Sequence, residues 1–371
     1  MRIGVPKEIK NHEYRVGLTP ASVRELVLAG HEVLVQRDAG TAIGMPDADY
    51  EAAGAQIRPD AASVFGQAEM IVKVKEPQFS ECAMLKPGQV LYTYLHLAAD
   101  LPQTKALMQS GAICIAYETI TAPGGGLPLL APMSEVAGRM SIQAAATHLE
   151  KVHGGKGVLL GGVPGVAAGH VVILGAGVVG SNALQMAVGL QARVTVLDKN
   201  LARLRELDQI YGNRITTLYS TTPAIEESVK SADAVIGAVL LPGAAAPKLV
   251  THCMIRQMQP GSVVVDVAID QGGCFETSHA TTHADPTFVV DGVVHYCVAN
   301  MPGAVARTST LALNNATLPH ALALANQGWR AALQSNPYLR QGLNVCEGKV
   351  TYKAVAQALG LTFTDPQTLL A

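Results

Sequence analysis

Short runs of Val, Ile and Leu alternate along the chain with segments whose apolar residues recur every three or four positions, the pattern of parallel strands joined by crossover helices. Arg2–Val5 reads as a strand. Thr19-Pro20 then opens a helix, with Thr as N-cap and Pro in the first turn, that stops near Gly30. Strands are expected at His31–Gln36, Met70–Lys75, Val90–His96 and Ala112–Tyr117. Pro123–Pro132 is a Gly/Pro-rich break, and Ser134-Glu135 start a connecting helix reaching about Val152. A second block carries strands at His170–Leu174, Arg193–Leu197, Ala234–Val239, Val263–Val267, Phe288–Val290 and Val294–Val298. From about Thr308 the apolar stripe is helical again, through Leu311, Leu318, Leu322, Trp329 and Leu333 to Pro337. This tail is expected to pack back onto the first block. The fold class is therefore α/β, with two domains of parallel strands and a cleft between them. Residues 1–130 and 307–371 form one, discontinuous domain and 131–306 the other.

Composition removes several function classes. The chain has 371 residues, 49% hydrophobic and 15% charged, enough apolar surface to exclude disorder. With 27 Lys+Arg against 29 Asp+Glu it has no clustered positive charge for a nucleic acid to bind. The six cysteines are scattered without a C-x-x-C pair, so neither a zinc knuckle nor a disulfide framework is indicated. The N-terminus MRIGVPKEIK lacks the apolar core of a signal peptide, which points to a cytoplasmic protein. Gly157–Ala192 contains no Asp, Glu, Lys or Arg and is long enough to span a bilayer. Its nine glycines, Pro164 and the β-branched run Val171-Val172-Ile173 mark it instead as turn and buried strand.

Within that segment Gly175, Gly177 and Gly180 have G-x-G-x-x-G spacing, directly after one expected strand and opening an expected helix. Gly175 permits the tight turn, Gly177 lets backbone approach a pyrophosphate, Gly180 allows close helix–strand packing, and the helix N-terminus faces the phosphates. The next strand ends in Asp198, eighteen residues after Gly180, where a carboxylate accepts from ribose hydroxyls. An acid there favours NAD over NADP, since a 2′-phosphate would meet like charge. The competing reading is that Asp198 only caps the helix Lys199–Leu207. The domain is Rossmann-like on this pattern.

Ligands of open α/β sheets gather beyond the carboxyl ends of the strands, and four polar residues stand there. Arg15 follows the first strand, Lys75 closes Met-Ile-Val-Lys-Val-Lys, His96 closes Tyr-Thr-Tyr-Leu-His, and Asp270 follows Val-Val-Val-Asp-Val-Ala-Ile. Arg15 and Lys75 can clamp a small carboxylate, Arg through its planar fork and Lys as a point charge. His96 can pass a proton near neutral pH, and Asp270 can orient ammonia, water or an iminium. The bland alternative for each cation is a solvated surface residue. Glu8, Glu13 and Glu118 are of a type that supports acid–base work, with ordinary salt bridging the favoured reading. His279, His283 and Asp285 have ligand-like spacing but lie in a loop-like segment, so no metal site is assigned.

These residues sit in longer motifs that resemble the alanine dehydrogenase family. They are Gly4 to Pro20, Ile-Val-Lys-Val-Lys-Glu-Pro (71–77), Tyr-Leu-His-Leu (94–97), Ala-Pro-Met-Ser-Glu-Val-Ala-Gly (131–138), Gly-Gly-Val-Pro-Gly-Val (161–166), Asp-Val-Ala-Ile-Asp-Gln-Gly-Gly (266–273) and Asn-Met-Pro-Gly-Ala-Val-Ala-Arg-Thr-Ser-Thr (300–310). The resemblance implies NAD-dependent, reversible oxidative deamination of L-alanine to pyruvate and ammonia, in a homohexamer of two-domain subunits. It implies that Arg15 and Lys75 bind substrate and that His96 and Asp270 form the acid–base pair. It places further cofactor contacts on Ser134, Val178, Val179, Asp198, Arg203, Ser220, Val239, Leu240, Val267, Ala268, Ile269, Asp270, Val298, Ala299, Asn300 and Met301. His279 stands at a cofactor contact that members often fill with Arg, and Ala323 occupies the helix that bears magnesium ligands in some members. The runner-up is the soluble nucleotide-binding subunit of the proton-translocating transhydrogenase, which has no need of a Lys75–His96 substrate clamp.

Overall fold

The computed structural model describes residues 1–239 and 246–370, divided into two compact units: Met1–Met133 with Val305–Ala371, and Ser134–Ala304. The division falls within the first turn of the helix Ala131–His148, which starts three residues earlier than Ser134. Among the described residues no helix is long and apolar enough to cross a membrane.

The first unit has six N-terminal strands: β1 (Arg2–Val5), β2 (Glu32–Gln36), β3 (Gln56–Arg58), β4 (Met70–Val72), β5 (Val90–Thr93) and β6 (Ile113–Ala116). They are parallel in the order β6-β5-β4-β1-β2-β3, so the winding reverses between β1 and β4. Every residue of β4, β5 and β6 is buried, as expected of strands covered on both faces. The helix Pro20–Leu28 is capped by Thr19, whose side chain accepts from Ser22 N. The C-terminal segment returns to this unit. In the helix Ala306–Gln327, Thr310 Oγ1 accepts from Val16 N at 3.3 Å and Asn314 Oδ1 from Thr19 N at 2.8 Å. The hairpin Leu343–Cys346 and Lys349–Val350 then adds antiparallel strands beside β6.

The second unit has β7 (His170–Leu174), β8 (Arg193–Asp198), β9 (Ile215–Tyr219), β10 (Ala234–Gly237), β11 (Val263–Asp266), β12 (Thr287–Val290) and β13 (Val293–Tyr296), ordered β12-β13-β11-β10-β7-β8-β9. Its winding reverses between β7 and β10. Both sheets are parallel-dominated, as expected, and antiparallel only at one edge. The cause is local: Asp291-Gly292 (φ 48° and 80°) and Glu347-Gly348 (φ 49° and 81°) form two-residue turns that fold each edge into a hairpin.

Two strands end earlier than the apolar runs suggest. The run Met70–Lys75 leaves the sheet after Val72 because Glu8 Oε1 takes Val74 N at 2.7 Å and Lys75 N at 3.3 Å. The run Val90–His96 leaves after Thr93 because Glu118 takes Leu95 N and His96 N. All four N–H groups find a carboxylate, so the backbone stays satisfied.

Candidate active site

The first unit sets its chemistry at the carboxyl edge of the sheet, where β4, β1 and β5 are neighbours. Arg15 is not the solvated cation of the bland reading: it is 2% exposed. Glu13 Oε1 accepts from Arg15 Nε at 2.7 Å and Oε2 from Nη2 at 2.6 Å, a bidentate pair with a carboxylate that is 0% exposed at its side chain. The Nε–Nη2 edge of the planar fork therefore faces Glu13. Arg15 Nη1 donates instead to Met133 Sδ at 3.1 Å, a weak acceptor.

Lys75 lies just past β4, half-buried, with Nζ 3.9 Å from Glu76 Oε2. Glu76 also pairs with Lys10, and the two cations hold its carboxyl below the ordinary range against the opposing effect of burial. Beneath Lys75 runs a fully buried trio, Lys73 Nζ donating to Glu8 Oε2 at 3.0 Å and Glu81 Oε1 at 2.7 Å. Burial pushes the Glu8 carboxyl up, against the pull of Lys73. Sequence reasoning missed Lys73: strand alternation puts it on the same face as Lys75, so spacing alone does not tell the buried lysine from the half-buried one.

His96 is exposed beyond β5, with its ring stacked parallel to Tyr94 at 5.7 Å. Tyr94 is itself fixed by a hydrogen bond from its hydroxyl to Leu129 O at 2.5 Å. Arg15, Lys75 and His96 are thus brought to neighbouring strand ends of one sheet.

The second unit carries a phosphate-type cradle. Gly175 has φ 97°, and a Cβ there would lie 2.8 Å from Val239 Cγ2, so the turn after β7 touches the segment after β10 at the winding reversal. A Cβ on Gly180 would collide with the carbonyl oxygen of Gly175. A Cβ on Gly177 would meet nothing within 4 Å. Gly177 is therefore not demanded by the protein's own packing, and the open space above it is what a pyrophosphate approaching the N-terminus of the helix Val178–Gly189 requires. Val178 is exposed at this end, whereas Val179 is buried.

Asp198 closes β8. Its Oδ2 accepts from Ala176 N at 2.6 Å and its Oδ1 from Asn200 N at 2.7 Å, tying the glycine turn to the next strand. The helix Leu201–Tyr211 is capped by Asn200, whose side chain accepts from Ala202 N and Arg203 N, so the reading of Asp198 as merely a helix cap is not what the structure holds. Arg203 reaches back to Ala176 O at 3.1 Å and Ser181 Oγ at 2.6 Å. Ala176, Gly177, Val178, Ser181, Asp198 and Arg203 line a groove of about 510 Å³. These residues fit a dinucleotide. Ser220 N bonds to Asp198 O, and Ser134 lies one helical turn before Gly138, which abuts Val179 and Asn182.

The loops after β10, β11 and β13 hold the remaining candidates. Val239 is half-buried, and Leu240 lies outside the described residues. Val267 N bonds to Gly237 O, Ala268 and Ile269 are buried, and Asp270 is exposed on the turn Ile269–Gln271. That loop is folded by Asp266, fully buried, which accepts from Cys274 N at 2.9 Å; burial raises its carboxyl. Val298 and Met301 are buried, Ala299 N bonds to Thr281 O, and Asn300 has φ 65° with its carbonyl 3.0 Å from His283 Nε2. His279 is exposed and stacks on Phe288 at 3.7 Å.

Comparison with known proteins agrees along the whole chain. A family model described as alanine dehydrogenase/PNT, N-terminal domain, matches residues 4–137, and one described as alanine dehydrogenase/PNT, C-terminal domain, matches residues 141–353. An alanine dehydrogenase of Halomonas elongata is 63% identical over 370 residues, covering 100% of both chains. One of Methanococcus maripaludis is 57% identical over 371 residues, also covering 100% of both. A solved L-alanine dehydrogenase superposes with TM-score 0.95 at 54% identity, covering 97% of this chain and 99% of its own. A transhydrogenase structure from Sinorhizobium meliloti is more distant, with TM-score 0.82 at 25% identity over 95% of this chain and 100% of its own.

Proposed function

Because the chain belongs to the alanine dehydrogenase/PNT family and acts as an L-alanine dehydrogenase, we propose that it uses NAD and that Arg15, Lys75, His96 and Asp270 carry its chemistry. The balanced reaction is L-alanine + NAD⁺ + H₂O giving pyruvate + NH₄⁺ + NADH + H⁺. The observation that supports this most is the placement of two cations and an imidazole at the carboxyl edge of a sheet, beside its winding reversal.

NAD, when bound, accepts hydride from the substrate Cα. The protein's own residues do the rest. Arg15, with its Nε–Nη2 edge pinned by Glu13, offers Nη1 to the substrate carboxylate, which outcompetes the Met133 thioether as acceptor. Lys75 directs its ammonium at the developing carbonyl oxygen of pyruvate. His96 takes a proton from the water that attacks the iminium and returns it to the departing amine. Asp270 orients the amine or water. Asp198 keeps lone pairs for ribose hydroxyls beyond the two it gives to backbone N–H groups, and its charge repels a 2′-phosphate. A cytoplasmic homohexamer completes the proposal.

The discriminating assay is reduction of NAD by the isolated protein in the presence of L-alanine. NADH formation is expected. No turnover without a second dinucleotide would favour the transhydrogenase-subunit reading. A companion pair of variants tests the cradle: Gly177→Ala should leave the melting temperature of the free protein unchanged and weaken NADH binding by ~10-fold or more, because only a ligand fills that space. Gly180→Ala should lower the melting temperature itself, because its Cβ meets backbone. Equal effects of the two in both measurements would refute the assignment.

A further inference from the structure

We propose that Glu118 is the positioning residue that holds His96 in its working conformation, acting through backbone hydrogen bonds and not by carrying a proton. The proposal rests on the reading of His96 as the proton carrier. His96 has φ 52° and ψ 37°, a left-handed conformation that side chains with a Cβ avoid and that persists only when surroundings impose it. Glu118 imposes it. Its Oε1 accepts from His96 N at 2.6 Å and from Leu95 N at 3.2 Å, and its Oε2 accepts from Leu95 N at 3.2 Å. An ionised acceptor makes these bonds short and strong.

The carboxylate can do this because its own place is fixed from both sides. Tyr117, fully buried, donates its hydroxyl to Lys73 O at 3.0 Å. Thr119 Oγ1 accepts from Asn344 Nδ2 at 2.8 Å, which ties the turn Tyr117–Thr119 to the strand Leu343–Cys346. On the far side of His96, Gln103 Nε2 donates to Leu95 O at 3.2 Å, and Leu97 is buried. With the Tyr94 ring stacked against it, the imidazole is set by a braced backbone and a braced neighbour. No salt-bridge partner of Glu118 occurs among the described residues, and its acceptor oxygens are given to these N–H groups.

The test compares Glu118→Ala, Glu118→Gln and His96→Ala, alone and combined, in steady-state oxidation of L-alanine. Glu118→Ala should lower kcat by on the order of 10- to 10²-fold, the scale of a misplaced catalytic group, with KM for L-alanine changed less than about 3-fold. Glu118→Gln keeps an oxygen where Oε1 accepts both N–H groups, and should stay within ~3-fold of the parent. In the His96→Ala background, Glu118→Ala should cost no more than a further ~2-fold, because both changes act through one group. Should Glu118→Ala not fold, Glu118→Asp, one methylene too short to reach both N–H groups, takes its place. Equal damage from Gln and Ala, or multiplicative losses in the double variant, would overturn the proposal. Parental kcat in His96→Ala alone would instead sink the assignment of His96, a separate failure visible in its own arm.

Discussion

His96→Ala is expected to lower kcat for L-alanine oxidation by ~10²-fold or more, the scale of a lost acid–base group. The expectation follows from the exposed imidazole beyond the end of β5, whose ring stacks on Tyr94 and whose backbone leaves the sheet to present it. With substrate grip assigned by the proposal to Arg15 and Lys75, KM should change little, so that kcat and kcat/KM fall together. Measured turnover near that of the parent would remove His96 from the mechanism.

Arg15→Ala carries the second large effect, and it has two separable parts. Loss of a charged hydrogen-bond donor to the substrate carboxylate should raise KM for L-alanine and pyruvate by about 10- to 10²-fold. The same change takes the guanidinium away from Glu13, whose side chain is 0% exposed and which keeps the Arg15 backbone N–H. Removing one partner of a buried ion pair costs about 3–5 kcal/mol, a large share of a domain's net stability. Adding Glu13→Gln to Arg15→Ala should restore much of the lost thermal stability while leaving KM high. If KM recovers along with stability, the role of Arg15 in binding is wrong, and its burial with Glu13 is structural only.

Local signals were the ones the sequence made legible. The helix Pro20–Leu28 starts where Thr19-Pro20 says it should, because a cap and a first-turn proline act within four residues. The turn from β7 into Val178–Gly189 was readable for the same reason, since its glycines answer to the turn's own geometry. What failed depended on residues far apart. Nothing in the run Met70–Lys75 says that Glu8 will intercept its N–H groups, nor in Val90–His96 that Glu118 will, so both strands read too long. β9 (Ile215–Tyr219) is not legible as a strand because its Thr-rich, mostly exposed or half-exposed sequence lacks an apolar run. The Asp291-Gly292 turn is itself a local signal of the antiparallel edge.

The site was legible by residue type but not by partnership. Arg15 reads as a cation with a fork to offer, yet the fork is spent on Glu13, two positions earlier in the chain. Glu118 reads as a salt-bridge acid, yet its bonds go to backbone. Carboxylate choices of this kind are settled by burial, since an interior N–H group or guanidinium left unpaired costs more than a surface ion pair returns.

The central claim, that this chain moves hydride directly from the Cα of an amino acid to NAD, is tested most directly with L-alanine deuterated at Cα. Mass spectrometry of the products should find the deuterium in the reduced nicotinamide and none in pyruvate or water. Deuterium released to solvent, or no reduced cofactor at all, would contradict the account.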